Sequence, residues 1–197
     1  MDQGERRNPF SAELVLKSYH QGIFPMAGED GRIRWYFPAL RTILPLETFH
    51  VSNSLKRFYR QKKFEVTVDR QFKMVMDGCA NRKETWISQQ FIRVYSDLNQ
   101  QGFAHSVEVW RGEELAGGLY GVALGGAFFG ESMFHHLPNA SKIALVYLVE
   151  RMKERGMVLL DTQFNNPFLR QFHTREIPAQ DFLRLLRPAL FLKVSFV

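Results

Sequence analysis

Residues Gly117 to Phe134 read GGLYGVALGGAFFGESMF, and a single carboxylate, Glu131, is the only charge in that run. An acid in so apolar a setting is costly unless it is paired, hydrogen-bonded or held for chemistry. The pattern predicts two strands, Leu115 to Leu124 and Ala127 to Phe134, joined by a tight Gly125-Gly126 turn. At a period of two, Phe129, Glu131 and Met133 share one face. Gly117, Gly118, Gly121 and Gly130 take side chains away from strand positions, which marks the close approach of a ligand or another backbone. The hairpin reads as a pocket wall. The alternative is a glycine-rich core hairpin whose glutamate accepts from backbone amides.

Working outward, Ala104 to Trp110 alternates Val107 and Val109 with Ser106 and Glu108, so three consecutive antiparallel strands are expected. After the hairpin, Asn139 or Ser141 caps an apolar helix, Lys142 to Arg155, which stops at Gly156. Met157 to Gln163 is then a short buried strand, and Pro178 opens a last helix to about Leu186. Upstream, residues 1 to 10 read as a loose tail and Ser11 caps a helix through His20. Ile23 to Trp35 reads as loop or turn and Thr42 to Val51 as extended chain. Ser52 caps a helix with Leu55, Phe58 and Tyr59 inward, Phe64 to Val68 is a strand, and Asp69 and Ser88 cap helices ending near Ala80 and Gln101. The fold class is α+β. The expected division is an N-terminal segment with an aromatic loop over 1–40, a small basic domain over 41–82 and an acyltransferase-like catalytic domain over 83–197.

The chain has 197 residues, 45% hydrophobic and 14% aromatic, with 18 Phe, which is enough for a packed core. A net charge of +6 suits a phosphate-rich partner. Lys56, Arg57, Arg60, Lys62 and Lys63 crowd the outer face of one helix with no acid before Glu65; a solvated face or a grip on phosphates both fit. One cysteine, Cys79, allows no internal disulfide, and with no leader and no apolar run of membrane-spanning length a cytoplasmic protein is expected. A monomer is expected.

A second polar focus, Asp161, Gln163, Asn165 and Asn166, follows Leu159-Leu160. On an extended chain Asp161 and Gln163 point the same way, so the carboxylate can orient the amide; with Glu131 they supply acceptors for an amine attacking an ester. Strand-end and loop-cap roles are the plainer reading of these residues. The adjacent His135-His136 pair and the scattered remaining histidines show no ligand spacing, so no metal is expected. No nucleophile elbow, phosphate loop or dinucleotide fingerprint occurs. Two classes survive: a transferase joining an acyl group to an amine, and a basic nucleic-acid-binding module.

The chain resembles the leucyl/phenylalanyl-tRNA protein transferase family. The resemblance runs through Tyr19-His20-Gln21-Gly22-Ile23-Phe24-Pro25, Trp35-Tyr36-Phe37-Pro38, Thr85-Trp86-Ile87-Ser88, Ala104 to Glu108, the glycine-rich hairpin, Leu159 to Phe164 and Glu176-Ile177-Pro178. It implies an acyl-CoA N-acyltransferase-like C-terminal domain and transfer of Leu, Phe or Met from aminoacyl-tRNA to the N-terminal amine of proteins beginning with Arg or Lys, which creates a degradation signal. Carried over by motif, Asp161, Gln163 and Glu131 form the catalytic centre: Asp161 polarises Gln163, whose carbonyl draws a proton from the amine, and Glu131 positions the acceptor. The resemblance implies a side-chain pocket of Leu119, Phe128, Leu145, Leu148 and Leu160, with Asn166 beside it, and tRNA-end contacts at Trp35 and Trp86. Lys56, Arg57 and Arg60 would grip the acceptor stem. Because the ester is already activated, no cofactor, metal or ATP is implied. The sequence departs from the family's His-Leu and Phe-Gly-Ala, reading Phe168-Leu169 and Phe172-His173-Thr174 beside the expected acceptor site. An acetyl-CoA-type N-acetyltransferase is the alternative on the same fold, although its glycine-rich phosphate turn is replaced here by His135-His136-Leu137-Pro138-Asn139.

Overall fold

Three consecutive strands, β5 (Ala104–Arg111), β6 (Glu114–Leu124) and β7 (Ala127–His135), form the antiparallel meander that the alternating pattern predicts. The computed structural model describes residues 10–83 and 85–197. Gly125, at φ 53°, makes the β6–β7 turn, and its partner Gly126 donates to the Ala189 carbonyl at 2.7 Å, so the turn docks on the C-terminal helix.

The apolar segment after β7 forms α5 (Ala140–Glu154) and leads to β8 (Leu159–Gln163), which lies parallel to β7. A parallel pair needs such a crossover, and here a helix supplies it. β3 (Leu40–Ile43), β4 (Glu65–Val68) and β9 (Arg175–Pro178) complete one sheet in the order β4-β5-β6-β7-β8-β3-β9. The 41–82 stretch expected as a small separate domain thus contributes β4, and residues at its border contribute β3, to the sheet that holds the catalytic segment.

Helices cover both faces. α1 (Ala12–His20), α3 (Phe72–Ala80), α4 (Gln89–Gln100) and α7 (Ala179–Leu190) pack on one face with Tyr120 and Phe129. On the other face α5, α2 (Asn53–Arg60) and the single turn α6 (Pro167–Arg170) pack with Leu119, Phe128 and Leu160. Ser11, Ser52 and Ser88 cap α1, α2 and α4 as expected, accepting from Leu14, Leu55 and Phe91 amides. Asp69 does not cap α3. Its oxygens take the His105 ring at 2.6 Å and the Ser106 amide at 2.8 Å, and the buried Glu108 carboxylate receives the Gln71 amide where α3 begins. Asn139, not Ser141, precedes α5, in a left-handed conformation without a side-chain cap.

Ile23 to Trp35 is a turn only at its centre, between two strands. β1 (Phe24–Ala27) and β2 (Ile33–Tyr36) form a two-stranded ribbon, because Asp30 accepts from the Arg32 amide and pairs with Arg34 across a turn closed by Gly31 at φ 71°. The extended chain expected over Thr42 to Val51 is a strand only through Ile43, and the last helix continues past Leu186 to Leu190. The tail expected over 1–10 lies outside the described residues apart from Phe10, whose ring sits 4.7 Å from Phe91.

Candidate active site

β7 and β8 pair with each other only over Ala127–Phe129 and Leu159–Asp161; beyond that β7 stays with β6 to His135 and β8 with β3 to Gln163. Where they splay, a cavity of about 820 Å³ opens between the two faces of the sheet, within the usual range for small-molecule sites. Leu119, Leu145, Leu148 and Leu160 line it, with Glu131, Gln163, Asn166 and Trp86. Phe128 and Trp35 do not. Phe128 is fully buried behind the wall, 5.0 Å from the Phe196 ring, and Trp35 lies on β2 against Phe10 at 6.0 Å. From the same ribbon it is Phe24 and Met26 that reach the cavity. Lys56, Arg57 and Arg60 are exposed on α2, outside the cavity lining.

The position of Glu131 comes from a β-bulge. Tyr120 pairs with Ser132 and Gly121 with Gly130, which leaves Glu131 as the extra residue on β7. Bulges re-aim side chains and commonly lie beside active sites. This one resets the alternation, so Glu131 stays with Phe129 on the face of α1 and α4, while Met133 packs with α5. The shared face expected for Phe129, Glu131 and Met133 therefore ends at the bulge. A Cβ on Gly121 would stand 2.2 Å from the Phe129 carbonyl and 2.4 Å from the Phe128 ring, so this glycine is required by a neighbouring backbone. At Gly130, which lines the cavity, a Cβ would meet only ordinary contacts.

Two donors converge on one oxygen of Glu131: Tyr19 Oη at 2.6 Å and Gln163 Nε2 at 3.0 Å reach Oε1. Tyr19 in turn lies 2.7 Å from the Tyr95 hydroxyl. Burial pushes the Glu131 carboxyl up to about 8, with the nearby Asp161 charge adding to the rise and the Tyr19 hydrogen bond opposing it. Burial also holds Tyr19, Tyr95 and Tyr120 well above the usual phenol range, and pushes the Cys79 thiol up to about 12, so that thiol serves packing.

Asp161 differs from its expected role. Its carboxylate does not touch the Gln163 side chain; Oδ1 accepts the Gln163 backbone N–H at 2.9 Å, and both oxygens are held by Arg41 at 2.8 and 2.6 Å. Gln163 stands at φ 57°, which departs from the extended path on which the two side chains would align. Its amide is oriented by Glu131 instead. Arg41, Tyr19 and Tyr95 join the candidate residues only through the fold. Arg41 carried the same signal as Glu131, a lone charge in an apolar run from Ala39 to Leu46. The tyrosines carried none, since at helical spacing they look like core.

The fold is of the α+β, acyl-CoA N-acyltransferase-like class, with an apolar cavity at the splay of its mixed sheet and a carboxyl and an amide locked together on the cavity wall. The crystal structure of FemX shares the fold, with a TM-score of 0.55 at 12% identity over 89% of this chain and 71% of that one. Within that class the chain belongs to the leucyl/phenylalanyl-tRNA protein transferase family: the family profile matches residues 43–187 and the profile of its N-terminal domain matches residues 8–39. The leucyl/phenylalanyl-tRNA–protein transferase of Rubrobacter xylanophilus is 52% identical over 93% of this chain and 97% of its own length. That of Herpetosiphon aurantiacus is 51% identical over 94% and 97%. The chain is an aminoacyltransferase. Among the described residues no helix is long and apolar enough to cross a membrane, and no group of three or more His, Cys, Asp or Glu is placed to hold a metal ion.

Proposed function

We propose that the chain transfers leucine, and also phenylalanine or methionine, from aminoacyl-tRNA to the N-terminal α-amine of cytoplasmic proteins that begin with Arg or Lys, leaving a bulky apolar N-terminus as a degradation signal. The observation that carries this reading is the cavity itself, in which Leu119, Leu145, Leu148 and Leu160 stand next to the Glu131–Gln163 pair. Leucine walls gain from apolar bulk and leave a polar donor side chain unpaired, which selects Leu, Phe and Met as a class.

Among the described residues the Gln163 side-chain carbonyl has no protein donor. It is placed to accept an N–H of the incoming amine and aim the nitrogen lone pair at the ester carbonyl. An amide is too weak a base to keep that proton. The N–C bond forms, the bond from the carbonyl carbon to the ribose oxygen breaks, and the amine proton passes to the departing ribose oxygen. Glu131, neutral near pH 7, keeps the amide in place through Oε1. Asp161 acts through the Gln163 backbone. Trp86 offers a stacking surface for the tRNA end inside the cavity, and Lys56, Arg57 and Arg60 a phosphate grip outside it.

At the acceptor side, Phe168 lines the cavity and packs on Phe172 at 6.1 Å, while His173 takes the left-handed position at φ 65° and stacks on His50 at 4.6 Å. The test is transfer of labelled leucine from Leu-tRNA to peptides that differ only in their N-terminal residue. Label on Arg and Lys peptides alone supports the reading in full. Label on another class keeps the transfer and moves the acceptor preference, whereas tRNA binding without label points to a binding module.

A further inference from the structure

Arg41 closes a ring of hydrogen bonds around the Glu131 carboxyl. Its Nε and Nη2 hold the two Asp161 oxygens, and its Nη1 donates to the Gly22 carbonyl at 2.9 Å. On one side Asp161 Oδ1 accepts the backbone N–H of Gln163; on the other the Gly22 N–H returns to the Tyr19 carbonyl at 2.9 Å. Gln163 and Tyr19 are the two residues whose side chains donate to Glu131 Oε1. One guanidinium therefore reaches both donors through two short links. It is itself immobilised, 1% exposed and sandwiched between the Phe24 and Phe182 rings at 4.6 and 4.5 Å.

We propose that Arg41 is a positioning residue for the transfer reaction, which sets Tyr19 and Gln163 in a common register so that both meet one oxygen of Glu131 and the Gln163 carbonyl is left for the substrate amine. The proposal rests on the function stated above. Its physical basis is the cost of what it explains. Gln163 occupies the left-handed region, unfavourable for a residue with a Cβ, and persists there only if surrounding bonds over-determine it. The Asp161 acceptor supplies that constraint, but a carboxylate at 0% exposure needs a partner of its own. A buried ion pair adds little net stability, because desolvation offsets attraction. What an arginine adds is geometry: its planar fork grips the carboxylate at two points and has a third edge free for Gly22, which a lysine ammonium cannot reproduce.

The test is Arg41→Lys, assayed for transfer and for binding of a non-hydrolysable leucyl-adenosine amide. The folded variant is expected to lose kcat about 100-fold, the usual consequence of slight misplacement of reacting groups, with the donor KM and analogue affinity unchanged. The Gln163 side-chain amide resonances should shift. Wild-type kcat in the variant, or a loss carried by the donor KM alone, overturns the proposal. If Arg41→Lys does not fold, Phe182→Leu keeps the guanidinium and removes one face of its clamp; a kcat about tenfold lower at unchanged donor KM is then expected, and an unchanged kcat overturns the idea. Absence of transfer by the wild-type chain would instead remove the function proposed above, while the Gln163 resonances in Arg41→Lys still decide whether Arg41 holds that side chain.

Discussion

Both donors on Glu131 meet the same oxygen, Oε1, as the carbonyl end of a neutral carboxyl allows. Glutamine reproduces that carbonyl and alanine does not. Glu131→Gln is therefore expected to keep transfer within about tenfold of wild type at pH 7, and Glu131→Ala to lose about 100-fold, the usual consequence of slight misplacement of reacting groups. Equal losses in steady-state assays would mean that the ionised form is the working one. The same neutrality has a stability signature. With its carboxyl held near 8 in the fold, the native chain keeps a proton that the unfolded chain releases in the ordinary carboxyl range. The native state then binds more protons through that window, so stability falls as pH rises from about 5 to about 8 and levels off above it. Urea unfolding should show wild type losing stability relative to Glu131→Gln across this window; parallel curves would contradict a neutral Glu131. At this scale the sequence was informative for charge in apolar surroundings, which marked Glu131 and would have marked Arg41. It was silent on partners such as Tyr19, 112 residues from Glu131, because nothing local ties them together.

The bulge is the element that turns a hairpin into an active-site wall. Period-two alternation predicts both strands and the Gly125-Gly126 turn, yet it carries no mark of an extra residue, so the bulge at Glu131 could not be read from pattern alone. The glycines beside it, Gly121 on β6 and Gly130 just before it on β7, were the trace it left. Gly121→Ala forces a Cβ into the Phe129 carbonyl and the Phe128 ring. The expected result is a loss of about 1–3 kcal/mol by overpacking, together with a fall in transfer larger than that of a cap variant of equal stability. Ser88→Ala provides the comparison: it removes the acceptor for the Phe91 amide at the start of α4 and should cost about 1 kcal/mol without touching the cavity. If the two variants lose transfer in proportion to stability alone, the bulge is a packing feature only. The β1–β2 ribbon is illegible in the sequence for a related reason, since two four-residue strands are too short to show a period.

Across the whole molecule, the order of elements was legible and their neighbours were not. Meander, helix and strand follow from periodicity and caps, whereas the seating of β3 between β8 and β9 joins residues about 120 positions apart through the Arg41–Asp161 pair. The same topology separates two surfaces with different physics. The cavity lies at the β7–β8 splay, and α2 carries Lys56, Arg57 and Arg60 outward, outside the cavity lining, tied to α5 by the Tyr59–Glu150 hydrogen bond at 2.8 Å. None of the three cations has an acidic partner within ion-pair distance among the described residues, so all are available to phosphates. Reversing all three to Glu should weaken binding of full-length tRNA and flatten the slope of log affinity against log salt by about 2–3, roughly one phosphate contact per residue. Transfer from a minimal leucyl-adenosine donor, which has no acceptor stem to grip, should be unchanged. An unaltered salt slope would show that α2 is simply a solvated face, and a loss with the minimal donor would show that the charges act on the cavity itself.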